Sequence, residues 1–295
     1  MIFVTFSYSE SVIGVFDSGF GGLSILRDIR RSLPEYDYIY LGDNARAPYG
    51  SRSFEVVSEY TWQAVSYLFE QGCNLVILAC NTASAKALRH IQQTKLPQIW
   101  ATEAGNKQAD TGLHRVLGVI RPTVEVISSY SVSKHIGIVA TQGTVNSMSY
   151  PIELSKHAPE LVVSQQSCPL WVPLIEQNEH HTPAMDYFID EYLSELFAKD
   201  ALIDTLLLAC THYPLIKDRI ERWLKDKGKR VKMVEQGEIV AQSLKDYLDR
   251  HHEIESTCHK GGKCLYLTTE TADRFAAQAE LFLGEQVKAQ HVEPT

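Results

Sequence analysis

Short apolar runs rich in β-branched residues alternate along the chain with longer segments whose apolar positions recur at helical spacing, the signature of βα units around a parallel sheet. The runs predict strands at Val12–Phe16, Tyr38–Leu41, Leu75–Ala79 and Val116–Ile120, and helices at Leu23–Arg31, Ser53–Gln71 and Thr82–Gln93. The pattern then restarts. Strands are predicted at His135–Ala140, Leu161–Ser164 and Thr205–Ala209, with helices near Val145–His157, Thr182–Lys199 and Leu215–Lys225. Two later strands, Arg230–Val234 and Lys263–Leu267, with a helix between them, are expected to return to the first half of the molecule.

The restart is also visible residue by residue. Ile13-Gly-Val-Phe-Asp17 is echoed by Ile136-Gly-Ile-Val-Ala140, and Leu75-Val-Ile-Leu-Ala-Cys80-Asn-Thr by Thr205-Leu-Leu-Leu-Ala-Cys210-Thr-His. Such self-similarity points to an internal duplication. The expected fold is α/β, with two pseudo-symmetric lobes built on mainly parallel sheets: residues 1–121 with 217–295, and residues 122–216. The boundary is placed at Arg121-Pro122, where a strand ends and proline suits the first turn of a following helix. Ligands of open parallel sheets bind outside the carboxyl ends of the strands, so the active site is expected between the lobes.

Composition narrows the class. The chain has 295 residues, 44% of them hydrophobic and 22% charged, enough to bury a core without covalent staples. The opening MIFVTFSYSESVIGVF has neither a basic n-region nor an uninterrupted apolar h-region, and no later run approaches a membrane-spanning length. A cytoplasmic protein without membrane contact is expected. A formal charge of -8 argues against a nucleic-acid partner, which would require clustered Lys and Arg. Six cysteines are too few for a disulfide framework. The spacing of Cys258, His259 and Cys264 fits no common zinc pattern, so no metal is expected.

Four strand-to-helix corners hold the candidate chemistry: Asp17–Gly22, Cys80–Ser84, Thr141–Ser147 and Cys210–His212. Each pairs small or hydroxyl-bearing residues with an expected helix N-terminus, where free N–H groups favour a carboxylate. The same residues also serve as ordinary helix caps. A strand-end cysteine, taken alone, is a small buried side chain. Two of them at matching places in two lobes can face one ligand from opposite sides. A helix N-terminus lowers a thiol pKa, so the pair could remove a proton from one face of a carbon and deliver one to the other. His212 could assist Cys210, and Asp17 could assist Cys80. Glu176, read as part of a loop, is a weaker candidate. The Gly-Phe-Gly-Gly run matches neither a Walker loop nor the dinucleotide fingerprint, so no nucleotide cofactor is expected.

Together the segments IGVFDSGFGGLSIL, YLGDNARAPYG, LVILACNTAS, IGIVATQGTVNS, WVPLIE and LLLACTHYPL resemble the glutamate racemases of bacterial cell-wall synthesis, in order and spacing, from Ile13 to about Ile216. The resemblance implies cofactor-independent interconversion of L- and D-glutamate. It also implies that Cys80 takes the α-proton of the D-enantiomer and Cys210 that of the L-enantiomer, with Asp17 assisting the first thiol and His212 and Glu176 the second. Substrate contacts are implied at Asp17, Ser18, Tyr49, Gly50, Asn81, Thr82, Thr211 and His212, with Thr141 and Thr144 as further additions, and the protein is implied to be a homodimer. Aspartate racemase and a non-enzymatic two-lobed carboxylate binder are the alternatives; both thiols and the absence of an export signal weigh against the latter. Three features depart from the family wording: Asn44 in place of the usual Thr, the segment Met233–Gly237 in place of an Asp-Ser segment, and a long Gln98–His114 link.

Overall fold

The computed structural model describes residues 11–105 and 113–294. Residues 106–112 of the Gln98–His114 link therefore lie outside the described residues, as do residues 1–10 of the opening. Among the described residues, ten strands form two wholly parallel sheets. The first contains β1 (Ile13–Asp17), β2 (Tyr38–Gly42), β3 (Leu75–Leu78), β4 (Arg115–Gly118), β9 (Cys264–Thr268) and β10 (Ala289–His291), in the order β10-β9-β2-β1-β3-β4. The second contains β5 (His135–Ala140), β6 (Val162–Ser167), β7 (Thr205–Ala209) and β8 (Lys232–Val234), in the order β6-β5-β7-β8. Every residue of β1, β2, β3 and β7 is buried. Strands covered on both faces read as continuous apolar runs, which is why they were legible.

The duplication has a topological counterpart. From β1 the chain moves to one side for β2 and to the other for β3; from β5 it moves to one side for β6 and to the other for β7. The reversal leaves a crevice at the carboxyl ends of β1 and β3 in one sheet and of β5 and β7 in the other. These four strand ends carry the corners picked out above.

Several boundaries differ from expectation. β4 ends at Gly118 because Ile120–Val126 is already helical, with Arg121 and Pro122 inside its first turn. The segment expected as one helix at Val145–His157 forms two, Gln142–Asn146 and Ser149–His157, separated by Met148 with φ 55°. Trp171–Glu176 is helical rather than a loop, held by Trp171, which is buried against Tyr213 with ring centroids 4.8 Å apart.

The tail divides between the sheets. Cys264–Thr268 pairs with β2 in the first sheet, as expected, whereas Lys232–Val234 pairs with Thr205–Leu207 and extends the second. The helix Lys217–Asp226 after β7 leads to the vacant parallel position beside it, the short connection a βαβ unit favours. The chain leaves the second sheet only after Val234. It then enters the helix Gly237–Arg250, which packs on Gly22–Ser32 so closely that a Cβ at Gly237 would lie 1.8 Å from Asp28 Oδ2.

Asp204 ties the start of β7 to the loop before β5. Its carboxylate accepts from the Ser131 hydroxyl at 2.6 Å and from the Val132 and Ser133 N–H groups at 2.8 and 2.6 Å. Burial opposes the charge, but the Ser131 hydroxyl and these N–H groups outweigh it and hold the carboxyl well below its usual range. Because the folded value is depressed, the contribution is complete above the unfolded value of roughly 4 and is lost as pH falls through the folded one. Asp204→Ala is expected to cost about 1–3 kcal/mol at neutral pH. In urea unfolding, the gap from the unsubstituted chain should narrow only in strong acid.

Candidate active site

Sheet register brings the key groups together. Phe16 pairs with Leu78, so Ser18 and Cys80 each stand two residues beyond a register pair; Ala140 pairs with Ala209, so Thr141 and Cys210 each stand one beyond. The two pairs of strand ends border one cleft with a cavity volume of about 120 Å³. Asp17, Ser18, Cys80, Asn81 and Thr82 line it from the first sheet, and Thr141, Cys210, Thr211 and His212 from the second. Tyr49, Gly50 and Glu176 also line it. Thr144 does not: its hydroxyl lies behind, 3.2 Å from that of Thr141. Sequence reasoning missed Ser51, Gln142, Pro169, Val172 and Pro173 as lining residues. Val172 and Pro173 had a signal in the WVPLIE segment, and Gln142 in the Thr141–Ser147 corner.

Contacts across the cleft draw its walls together. The Thr82 and Thr141 hydroxyls are 2.9 Å apart, Gly143 N–H donates to the Gly50 carbonyl at 2.8 Å, and the Ser24 hydroxyl donates to the Thr211 carbonyl at 3.0 Å. Tyr49 is buried with its hydroxyl donating to Asp43, which leaves its ring and backbone for the cleft.

Both thiols are nearly enclosed, Cys80 with 6% and Cys210 with 5% of its surface exposed. Cys80 caps the helix Asn81–Lys86, its sulfur 3.4 Å from the Ala83 N–H and 3.3 Å from the Ser18 hydroxyl. The expected lowering of its pKa does not occur. Burial and then the Asp17 carboxylate push the Cys80 thiol up to about 12, against the weaker pull of Ser18 and Ala83. A short helix end does not outweigh desolvation and a neighbouring carboxylate. Asp17 is itself raised by burial, although His212 and the Gly19 N–H, 2.9 Å from Oδ2, favour its charge.

The Cys210 side is wired differently. Its sulfur is 3.8 Å from His212 Nδ1, while His212 Nε2 is 2.9 Å from Glu176 Oε1. Burial alone would lower the imidazole pKa; the contacts with Cys210 and Glu176 reverse this and raise it well above its usual value. A charged imidazole thus stands between the Cys210 thiol and the Glu176 carboxylate.

Two buried atoms of the cleft residues have no hydrogen-bond partner: the acceptor Asp17 Oδ1 and the donor Asn81 Nδ2. Unpaired buried polar groups are costly and await a ligand. Among the described residues, no lysine or arginine lines the cleft, so a carboxylate would be held by neutral donors and an ammonium by Asp17 and Glu176. His259, considered above as a metal ligand, instead turns Nδ1 to Asp37 at 2.6 Å.

Fold and site define a two-lobed α/β protein with two thiols on opposite walls of one small-molecule cleft. Residues 13–244 match the model of the Asp/Glu/hydantoin racemase family, and the chain belongs to that family. It is 36% identical over 285 residues to a glutamate racemase of Ruegeria sp. (strain TM1040), covering 93% of this chain and 97% of that protein. Among solved structures, it is similar to glutamate racemase isoform RacE1 of Bacillus anthracis, with TM-score 0.81, 30% identity and 97% and 98% of the two chains covered. It is also similar to the Francisella tularensis glutamate racemase in complex with D-glutamate, with TM-score 0.79, 30% identity and the same coverage.

Proposed function

We propose that the chain is a cofactor-independent glutamate racemase that supplies D-glutamate for peptidoglycan. The observation that carries this reading is the pair of thiols on opposing walls of one cleft, one beside Asp17 and the other beside His212 and Glu176. Cys80 and Cys210 exchange the α-proton on the two faces of the substrate, Cys210 acting on L-glutamate and Cys80 on D-glutamate. Burial and Asp17 make Cys80 the protonated partner, and the His212 imidazolium faces Cys210. That arrangement is poised to take the proton of L-glutamate at Cys210 and deliver one from Cys80.

The unpaired Asp17 Oδ1 meets the substrate ammonium, and the unpaired Asn81 Nδ2 meets a carboxylate. An ammonium beside Asp17 cancels the carboxylate's share, second to burial, in holding the Cys80 thiol up, so substrate binding itself eases the second proton transfer. Ser18, Thr82, Thr141, Thr211 and the Tyr49–Gly50 backbone complete the carboxylate contacts. Among the described residues, no helix is long and apolar enough to cross a membrane. A cytoplasmic homodimer belongs to the same reading, and sedimentation velocity tests the dimer.

The deciding experiment incubates the chain separately with L-glutamate, D-glutamate and both aspartates in deuterated water, following optical rotation and α-deuterium. Loss of rotation with deuterium uptake for glutamate alone is expected. No exchange with any of the four removes the racemase reading, and exchange confined to aspartate reassigns the substrate.

A further inference from the structure

A buried hydrogen-bond chain runs from the segment Met233–Gly237 to Asn81 in the cleft. Gln236 Nε2 lies 3.1 Å from the Val119 carbonyl, 2.8 Å from the Thr123 hydroxyl and 2.9 Å from the Tyr150 hydroxyl. The Tyr150 hydroxyl lies 2.8 Å from Asn81 Oδ1. All three side chains are enclosed: Gln236 and Asn81 are each 3% exposed and Tyr150 is 0% exposed.

The chain has a direction. The Val119 carbonyl can only accept, so the amide end of Gln236 that faces it is the NH₂ group. The NH₂ group has two protons to share among the three oxygens around it and cannot accept, so the Tyr150 hydroxyl facing it turns its single proton to Asn81 and requires an acceptor there. Asn81 must present Oδ1 to Tyr150, and its Nδ2, which has no partner, is left for the cleft. Without this chain the Asn81 amide could turn over and offer an oxygen to an anionic ligand.

We infer that Tyr150 and Gln236 are positioning residues that hold the Asn81 amide with its donor end toward the substrate carboxylate. The polarity is set by the Val119 backbone and relayed through residues of three separate segments. Gln236 stands where the tail crosses between the sheets, so the site reads a group from the crossover itself. The inference rests on the proposed role of Asn81 as a carboxylate donor.

The test measures kcat and KM for both glutamate enantiomers with the unsubstituted full chain, Tyr150→Phe, Gln236→Met and the double variant. Each single variant is expected to raise KM about tenfold for both enantiomers, the scale of a hydrogen bond to a charged group, with kcat changed less than about twofold. The double variant should be no worse than Tyr150→Phe, because both substitutions cut one chain. Either single variant that folds decides the matter. Unchanged KM, a loss confined to kcat, or an additive double variant overturns the inference while an active unsubstituted chain leaves the racemase reading in place. An unsubstituted chain that does not racemise glutamate overturns both.

Discussion

Exchange of either Cys80 or Cys210 for serine is expected to reduce racemisation of glutamate in both directions by about 10²–10⁴-fold, the range of a lost general acid or base. Serine nearly keeps the shape of the buried side chain, but its hydroxyl does not ionise in the range where a thiol does. Because the enantiomers are equal in free energy, kcat/KM must fall equally for L- and D-glutamate. The two variants should differ in which α-proton they still exchange. With Cys80 replaced, slow exchange in deuterated water should persist from the L-side through Cys210; with Cys210 replaced, from the D-side through Cys80. Full activity in either variant would remove the two-thiol mechanism.

Gly21→Ala should disable the site from outside the proton-transfer groups. Gly21 has φ −58°, which any residue adopts, so the constraint is space rather than backbone strain. A Cβ there would lie 2.3 Å from Thr211 Oγ1 and 2.4 Å from His212 Nδ1. The entry to the helix Gly22–Ser32 is thus packed directly on the Cys210 corner, and a methyl group displaces the imidazole from both Cys210 and Glu176. The expected loss is about 100-fold in kcat/KM, the cost of misplacing a reacting group by about 1 Å, with about 1–3 kcal/mol of stability lost to overpacking. Thermal unfolding and initial rates measured together check this. Unaltered activity would show that His212 does not need its observed position.

Much of this protein was legible before any coordinates. The fully buried strands read as apolar runs because parallel sheets are covered on both faces, and the doubled Ala-Cys ending marked two equivalent strand ends. The small polar residues after each strand were legible as caps and as ligand groups together, since both uses exploit the same free N–H groups. Glu176 was harder to place. Its helix is six residues long with Pro173 inside it, too short and too interrupted for periodicity to register, and its partner His212 is remote in sequence.

What the residues determined by themselves was local: where the chain extends, where it coils, and which side chains stand at the strand ends. Three things depended on the assembled molecule. Lys232–Val234 joined the second sheet because the free position beside β7 lay within reach of the short crossover. Cys80 became the protonated thiol because burial and Asp17 act together there, and desolvation exists only once the cleft is closed. Asn81 acquired its direction from Gln236 and Tyr150, which lie far along the chain and meet it only in the fold. Periodicity and capping are properties of neighbours in sequence, whereas dielectric, charge proximity and hydrogen-bond polarity belong to neighbours in space.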